Sequence, residues 1–328
     1  MQCSRLWLPG RVEAMAHKGK WIDGTEPHDR LTKAARRALR SRLELVWHHL
    51  PRAAKGDAAD PDPVHQLRVS TRRAWAALEC YREVVPPGLD RWVRKQLKRI
   101  RKAAGDARDF DVLALRLHGQ QPEGDADWQF LLARINECRE QARQPVKELW
   151  QRLRGKHFRR RIGELVKRVH WRPDGHGSEE PGFAQAARDR MREVADAFFI
   201  ASSGDLSDLS NLHEFRILGK QLRYAMELYH AAFGPEFRGE LYPQIEEVQE
   251  KIGVTIDHAT AIERYEDWLA CWDEPRLAAP LGELLQRQRT ALAASRQSFA
   301  QWWTDERAKQ LQQQFDEALT RPFVERVA

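Results

Sequence analysis

Apolar residues return every three or four positions along almost the whole chain, and no stretch alternates apolar with polar residues as a half-buried strand does. The pattern predicts an all-α protein. In HDRLTKAARRALRSRLELVWHHL, Leu31, Ala35, Leu39, Leu43 and Val46 fall on one side of a helix. The next helix opens in DPDPVHQLRV, where prolines and aspartates suit a first turn, and closes at VVPPGL. A third, DRWVRKQLKRIRKAAG, stops at Gly105, and RDFDVLALRL begins a fourth. Longer helices are expected near 127–154, kinked by Pro145, and near 156–170. Residues 1–25 show no period and read as a loose arm. WRPDGHGSEEPG, 171–182, has three glycines and two prolines and reads as a linker. The flanking stretches, 26–170 and 183–322, read as two helical repeats.

The second repeat echoes the first. His65 in HQLRVSTRRAWAALECYREVVP and His213 in HEFRILGKQLRYAMELYHAAFG stand 148 residues apart. At that offset Arg68 meets Arg216, Arg72 meets Lys220, Tyr81 meets Tyr229, Gly105 meets Gly253 and Asp109 meets Asp257. Upstream, KAARRALR at 33–40 matches QAARDRMR at 185–192 with an offset of 152, which predicts a first-repeat loop four residues longer. A helical unit repeated once predicts two bundles related by an approximate two-fold axis.

On a helical wheel with His65 at zero, Arg68 and Arg72 fall at about 300° and 340°, while Arg73 falls at about 80°. Leu67, Ala74, Leu78 and Tyr81 lie opposite. His213, Arg216, Lys220, Arg223 and Tyr224 form a stripe about 100° wide in the second copy. An ordinary solvated face mixes acids with bases. These stripes are unmixed and occur twice, and like charges crowded together repel unless a partner neutralises them. Lys98 and Lys102, four apart on the third helix, add a further basic face.

Composition changes this picture little. The formal net charge of +7 and the pI near 9.3 agree with an acidic partner without naming it. The four cysteines are scattered, with no C-x-x-C pair or zinc spacing, which suits free thiols in a reducing cytoplasm. No apolar run reaches the ~20 residues of a membrane span.

VHQLRVSTRR, KAAGDARDFDVL and LHEFRILGKQLRY together resemble the signatures of the CHAD family, the conserved histidine α-helical domain, over about residues 26–320. The resemblance implies two four-helix bundles around a pseudo-two-fold axis, with a basic cleft or channel between them that binds inorganic polyphosphate. It also implies association with polyphosphate granules. Carried over residue by residue, the binding positions are His65, Arg68, Arg72, Arg73, Lys98, Lys102 and Arg108, then His213, Arg216, Lys220, Arg223 and Tyr224. Ile256 stands where Arg108 stands in the first copy, and Ala259 where Asp111 stands, so a lopsided site is expected. The E-x-E-x-K signature of triphosphate-processing relatives is not found, so a stand-alone, non-enzymatic binding module is expected.

Two other readings remain open at this stage. Nucleic acid shares the phosphate chemistry, although no helix-turn-helix, zinc finger or aromatic RNA-reading motif is visible. A metal-dependent phosphohydrolase would draw on Asp109-x-Asp111, His28-Asp29 or Asp257-His258. The plainer reading of Asp109 and Asp111 is as helix-start acids that pair with arginine. No Walker A loop, H-E-x-x-H or G-x-S-x-G is present. No cofactor, metal site or catalytic residue is expected.

Overall fold

The computed structural model describes residues 19–57, 60–117, 124–173 and 179–321. Within them the chain is helical throughout. The first repeat builds α1 (Leu31–Lys55), α2 (Asp62–Cys80), α3 (Pro87–Ala103), α4 (Gly105–Leu117), α5 (Ala126–Gln141), α6 (Gln144–Gly155) and α7 (Phe158–Lys167). The second builds α8 (Phe183–Ser202), α9 (Leu209–Tyr229), α10 (Tyr242–Cys271), α11 (Pro275–Trp302) and α12 (Asp305–Thr320). Local chemistry sets the boundaries. Prolines occupy the first turns of α2, α3, α6, α10 and α11, where no amide hydrogen is needed. Asp125 caps α5 by accepting from the amides of Asp127 and Trp128 at 2.9 and 3.1 Å, and Asp208 caps α9 in the same way.

The repeats correspond helix by helix: α1 with α8, α2 with α9, α3 plus α4 with α10, α5 plus α6 with α11, and α7 with α12. The differences are breaks within an element. Ala104 interrupts the first repeat where α10 runs straight through, and Pro145 does more than kink its helix: it opens α6 as a separate segment. The expected extra loop is not found. Both α1–α2 and α8–α9 are joined by residues 56–61 and 203–208, and the additional residues instead extend α1 by a turn beyond Pro51.

Three contacts mark the pseudo-two-fold axis, because each joins a residue to its own counterpart. Arg30 and Gly182, which precede α1 and α8, form an isolated antiparallel bridge. Its hydrogen bonds are reciprocal: Leu31 donates to Pro181 at 3.3 Å and Phe183 donates to Asp29 at 2.7 Å. The rings of Tyr81 and Tyr229 meet edge to face at 5.4 Å. Finally, α2 packs on α9. The linker thus ends as part of the axis, with residues 174–178 outside the described set.

The apolar interior divides in two. The larger core draws on both repeats and includes Leu39, Leu67, Leu97, Phe198, Phe215 and Ile252. A smaller one, also shared by the repeats, joins Leu113, Trp128, Leu131 and Ile135 from α4 and α5 to Tyr265, Trp268, Leu281 and Leu284 from α10 and α11.

Residues 1–18 lie outside the described set, but residues 19–25 depart from the loose arm expected of them. Ile22 is buried, and Trp21 packs against His230 and Tyr242 at 5.0 and 4.7 Å. The buried Arg42 guanidinium donates to the carbonyls of Gly19 and Lys20, and Lys20 pairs with Glu246 at 3.0 Å. The segment lacks period because it is held by polar contacts and two apolar anchors rather than by a helical face.

Candidate functional site

A cavity of about 410 Å³ lies on the axis, walled by two helices from each repeat. On one side α2 presents His65, Arg68 and Arg72, and α9 presents their counterparts His213, Arg216 and Lys220. On the other side α4 presents Arg108, Asp109 and Arg116, and α10 presents Ile256, Asp257 and Arg264. Leu113 and Tyr265 of the smaller core line it, as does Ile256 of the larger, so the void sits where the two cores meet.

The glycine that follows each basic helix at a fixed interval lies beside that helix's cavity arginine. A Cβ on Gly105 would stand 3.7 Å from the Arg68 guanidinium, and one on Gly253 would stand 3.4 Å from that of Arg216. Each arginine thus packs against the backbone of the opposite helix at ordinary contact distance. Arg68 donates to the Ala104 carbonyl at 3.3 Å, at the break between α3 and α4. Its counterpart Arg216 donates to the Asp257 carboxylate at 3.2 Å.

Two ion pairs close the cavity across the axis. Arg116 reaches Asp257 at 3.3 Å and Arg264 reaches Asp109 at 3.0 Å. Arg116 and Arg264 are 148 residues apart, as are Asp109 and Asp257, so the two bridges are the same bridge made twice. Sequence reasoning passed over Arg116 and Arg264, although the 148-residue offset pairs them as plainly as it pairs the histidines.

Seven cationic side chains therefore face two carboxylates in one void. Arg72, Arg108 and Lys220 have no ion pair among the described residues, and the Arg72 Nε is buried without a hydrogen-bond partner. The crowding shifts titration. Burial, reinforced by Arg108 and Arg72, holds His65 down at about 4. Burial, then Arg216 and Arg72, brings the Lys220 ammonium down to about 7. Burial also lowers the affinity of Arg68, Arg108 and Arg216 for their protons, and raises the Asp109 carboxyl despite Arg264.

Of the residues singled out in the sequence, His65, Arg68, Arg72, Arg108, His213, Arg216 and Lys220 converge on the cavity. The others stand elsewhere. Arg73 forms a bidentate pair with the fully buried Glu227 at 2.7 and 2.8 Å, joined there by Arg42 at 3.3 Å and the Tyr242 hydroxyl at 2.9 Å. Arg223 reaches Glu246 at 3.3 Å and lies over the ring of Tyr224, which is buried. Lys98 and Lys102 project into solvent from the outer face of α3. The lopsidedness is present, with Ile256 on the cavity wall in the position Arg108 holds in the first repeat.

The carboxylates weighed as metal ligands are occupied. Asp111 is buried and held by Arg139 at 2.6 Å and Arg143 at 3.2 Å. His258 Nδ1 meets the Gln288 side chain at 2.6 Å. Asp29 holds Lys33 and Arg37. Among the described residues no group of three or more His, Cys, Asp or Glu is arranged to hold a metal ion.

Fold and cavity together define a class: all-α proteins made by repeating one helical unit about an axis that carries a cation-lined void. Residues 37–266 match the CHAD domain model, and the chain belongs to the CHAD family. The CHAD domain crystal structure from the plant Ricinus communis superposes with a TM-score of 0.67 at 18% identity, covering 85% of this chain and 95% of that one. PptA from Streptomyces chartreusis gives a TM-score of 0.59 at 17% identity, over 86% of this chain and all of that one. These likenesses concern the fold. An uncharacterized protein of Mycobacterium tuberculosis, MT2285, is 29% identical over 226 residues, which are 65% of this chain and 42% of that protein. The match thus spans less than half the length of that relative.

Proposed function

We propose that the chain binds inorganic polyphosphate in the cavity on the pseudo-two-fold axis, as a binding protein rather than an enzyme. The observation that carries this reading is the convergence of seven cationic side chains from four helices on a single void with two carboxylates. Arginine offers a planar fork to two phosphate oxygens and lysine a mobile point charge. Neutralising several phosphates releases counterions, so binding weakens steeply with salt. A void of about 410 Å³ is of the size that takes small ligands and single chains, not a duplex. A protein that grips polyphosphate in this way is expected at polyphosphate granules in the cytoplasm. Among the described residues no helix is long and apolar enough to cross a membrane.

The test is a gel shift with polyphosphate, competed by duplex DNA at matched phosphate concentration. DNA is expected to compete poorly, and the polyphosphate shift to fade as salt rises. Equal competition by DNA overturns the polyphosphate reading in favour of nucleic acid. An affinity indifferent to salt overturns the charge-based site.

A further inference from the structure

A second basic surface lies outside the cavity. The exposed side of α1 and the start of α7 line an open groove of about 1150 Å³. Its cations are Lys33, Arg36, Arg37, Arg40, Arg52 and Arg159, against Glu44 as the lone carboxylate of the lining. Asp29 holds Lys33 and Arg37 from beneath, while Arg40, Arg52 and Arg159 are exposed and make no ion pair among the described residues. The opposite side of α1, with Ala34, Ala38, Leu39 and Leu43, is buried and packs on α2. A helix layer therefore separates groove from cavity.

The internal repeat supplies a control for this charge. On α8 the residues matching Lys33, Arg36, Arg37, Arg40, Ser41 and Glu44 are Gln185, Arg188, Asp189, Arg192, Glu193 and Asp196, so two arginines are kept and two acids are added. The same helix of the same fold is thus built with mixed signs in the second repeat. The fold does not require so basic a row on α1, and the row's self-repulsion points to an anionic partner.

The floor of the groove says which kind. Leu45, Trp47 and Pro51 line it and are half-buried. A phosphate chain has no use for apolar floor. A nucleobase wants a free aromatic face, and Trp47 already packs against Trp150 at 5.0 Å and Phe158 at 6.1 Å. From Lys33 to Arg52 the groove runs about 28 Å at 1.5 Å per helical residue. About nine extended residues cover that length. We propose that this groove docks an acidic protein segment whose large apolar side chains seat on Leu45, Trp47 and Pro51 while its carboxylates meet the arginine row.

The test uses the full chain and a fluorescein-labelled ten-residue peptide of alternating Glu and Leu, read by fluorescence anisotropy. Binding is expected, at least about tenfold weaker in Arg40→Glu/Arg52→Glu. It should be intermediate in Arg40→Gln/Arg52→Gln and unchanged in the cavity variant Arg68→Glu/Arg216→Glu. Both groove positions are exposed, and unaltered thermal melts establish that the variants fold. The proposal is overturned if the peptide does not bind, if the groove variants bind it normally, or if the cavity variant loses it. It is equally overturned if decaglutamate or a ten-nucleotide single strand binds as tightly as the mixed peptide, since the groove would then read charge alone. Polyphosphate binding by the groove variants reports on the cavity separately.

Discussion

Glu79 and Glu227 occupy the same position in the two repeats, 148 residues apart, and meet opposite fates. Glu79 is half-buried, sharing Arg82 and Arg94 of the first repeat and Arg190 of the second at 3.1 to 3.5 Å. Glu227 is fully buried at the join of the two repeats, clasped by Arg42, Arg73 and Tyr242. The repeat conserves the seats of the cavity, namely His, Arg and Gly at fixed intervals, but not the charges behind them. The first repeat lends Arg42 and Arg73 to the buried Glu227, whereas the second lends only Arg190 to the half-buried Glu79. A pseudo-symmetric site can thus rest on an asymmetric frame.

Removing the two carboxylates in turn separates the two frames most. Glu227→Ala leaves two arginines with little access to water and no counter-charge, and a loss of about 3–5 kcal/mol in urea unfolding is expected. Glu79→Ala removes a carboxylate that water still reaches and should cost less, about 1 kcal/mol. Equal losses would show that the two frames carry the same load.

Next come the cavity arginines. Arg68→Glu with Arg216→Glu removes two charge-assisted contacts, each about 1.5–3 kcal/mol, and adds two repulsive charges. Polyphosphate binding should fall well over about a hundredfold. The single variants should differ, because Arg216 is already partly neutralised by Asp257 whereas Arg68 holds only a carbonyl. Arg68→Glu should therefore lose more than Arg216→Glu in a titration at fixed salt. Equal losses would mean that the ligand displaces Asp257 at no cost.

A smaller effect separates the two repeats by pH. Lys220, poised at about 7, gains a proton when an anion enters, so binding strengthens as pH falls from 9 towards 7, by less than about tenfold per unit. Proton uptake is measured by calorimetry in buffers of different ionisation enthalpy. Lys220→Arg should flatten the profile, since a guanidinium keeps its charge throughout. In the empty protein the sign for stability is opposite. Lys220 is depressed from 10.5, so its contribution is complete above that value and declines as pH falls to about 7. His65 behaves likewise between 6.5 and about 4, which moves the pH response near neutrality from the histidine to the lysine.

The gentlest probe is the pair of glycines. Gly253→Ala lies inside α10 and should stabilise by up to about 1 kcal/mol. Its Cβ would meet the Arg216 guanidinium at 3.4 Å, an ordinary contact, so binding should be unchanged. Gly105→Ala has 3.7 Å of room and should leave binding unchanged. A loss of polyphosphate binding in either variant would show that the cavity arginines need glycine beside them.

Much of this fold was legible in the chain, because helical period and a 148-residue echo are local or self-referential signals. The cavity residues on α2 and α9 were legible for the same reason. Arg73 misled because a helical wheel shows what a residue leaves, not what captures it; its carboxylate lies 154 residues away. Lys98 and Lys102 lie apart from the cavity, and nothing in a single helix says whether a basic face looks onto a cavity or onto solvent. Tyr224 and Arg223 sit at the edge of their stripe, where the neighbouring α10 covers them. Arg116 and Arg264 fell in helices read for their apolar side alone.

The bridge between Arg30 and Gly182 has a consequence in time rather than space. Every contact that closes the axis joins partners some 150 residues apart: Arg30 with Gly182, Tyr81 with Tyr229, Arg73 with Glu227, Arg116 with Asp257. The ribosome has finished the whole first repeat before any of these partners exists. Contacts of such long sequence separation form late, after each bundle has collapsed on its own neighbours. A nascent or truncated chain ending in the linker thus presents the half-site of α2 and α4 open to water, with Arg73 and Arg42 unmatched. The cation-lined cavity is thus complete only once both halves have been translated and have met.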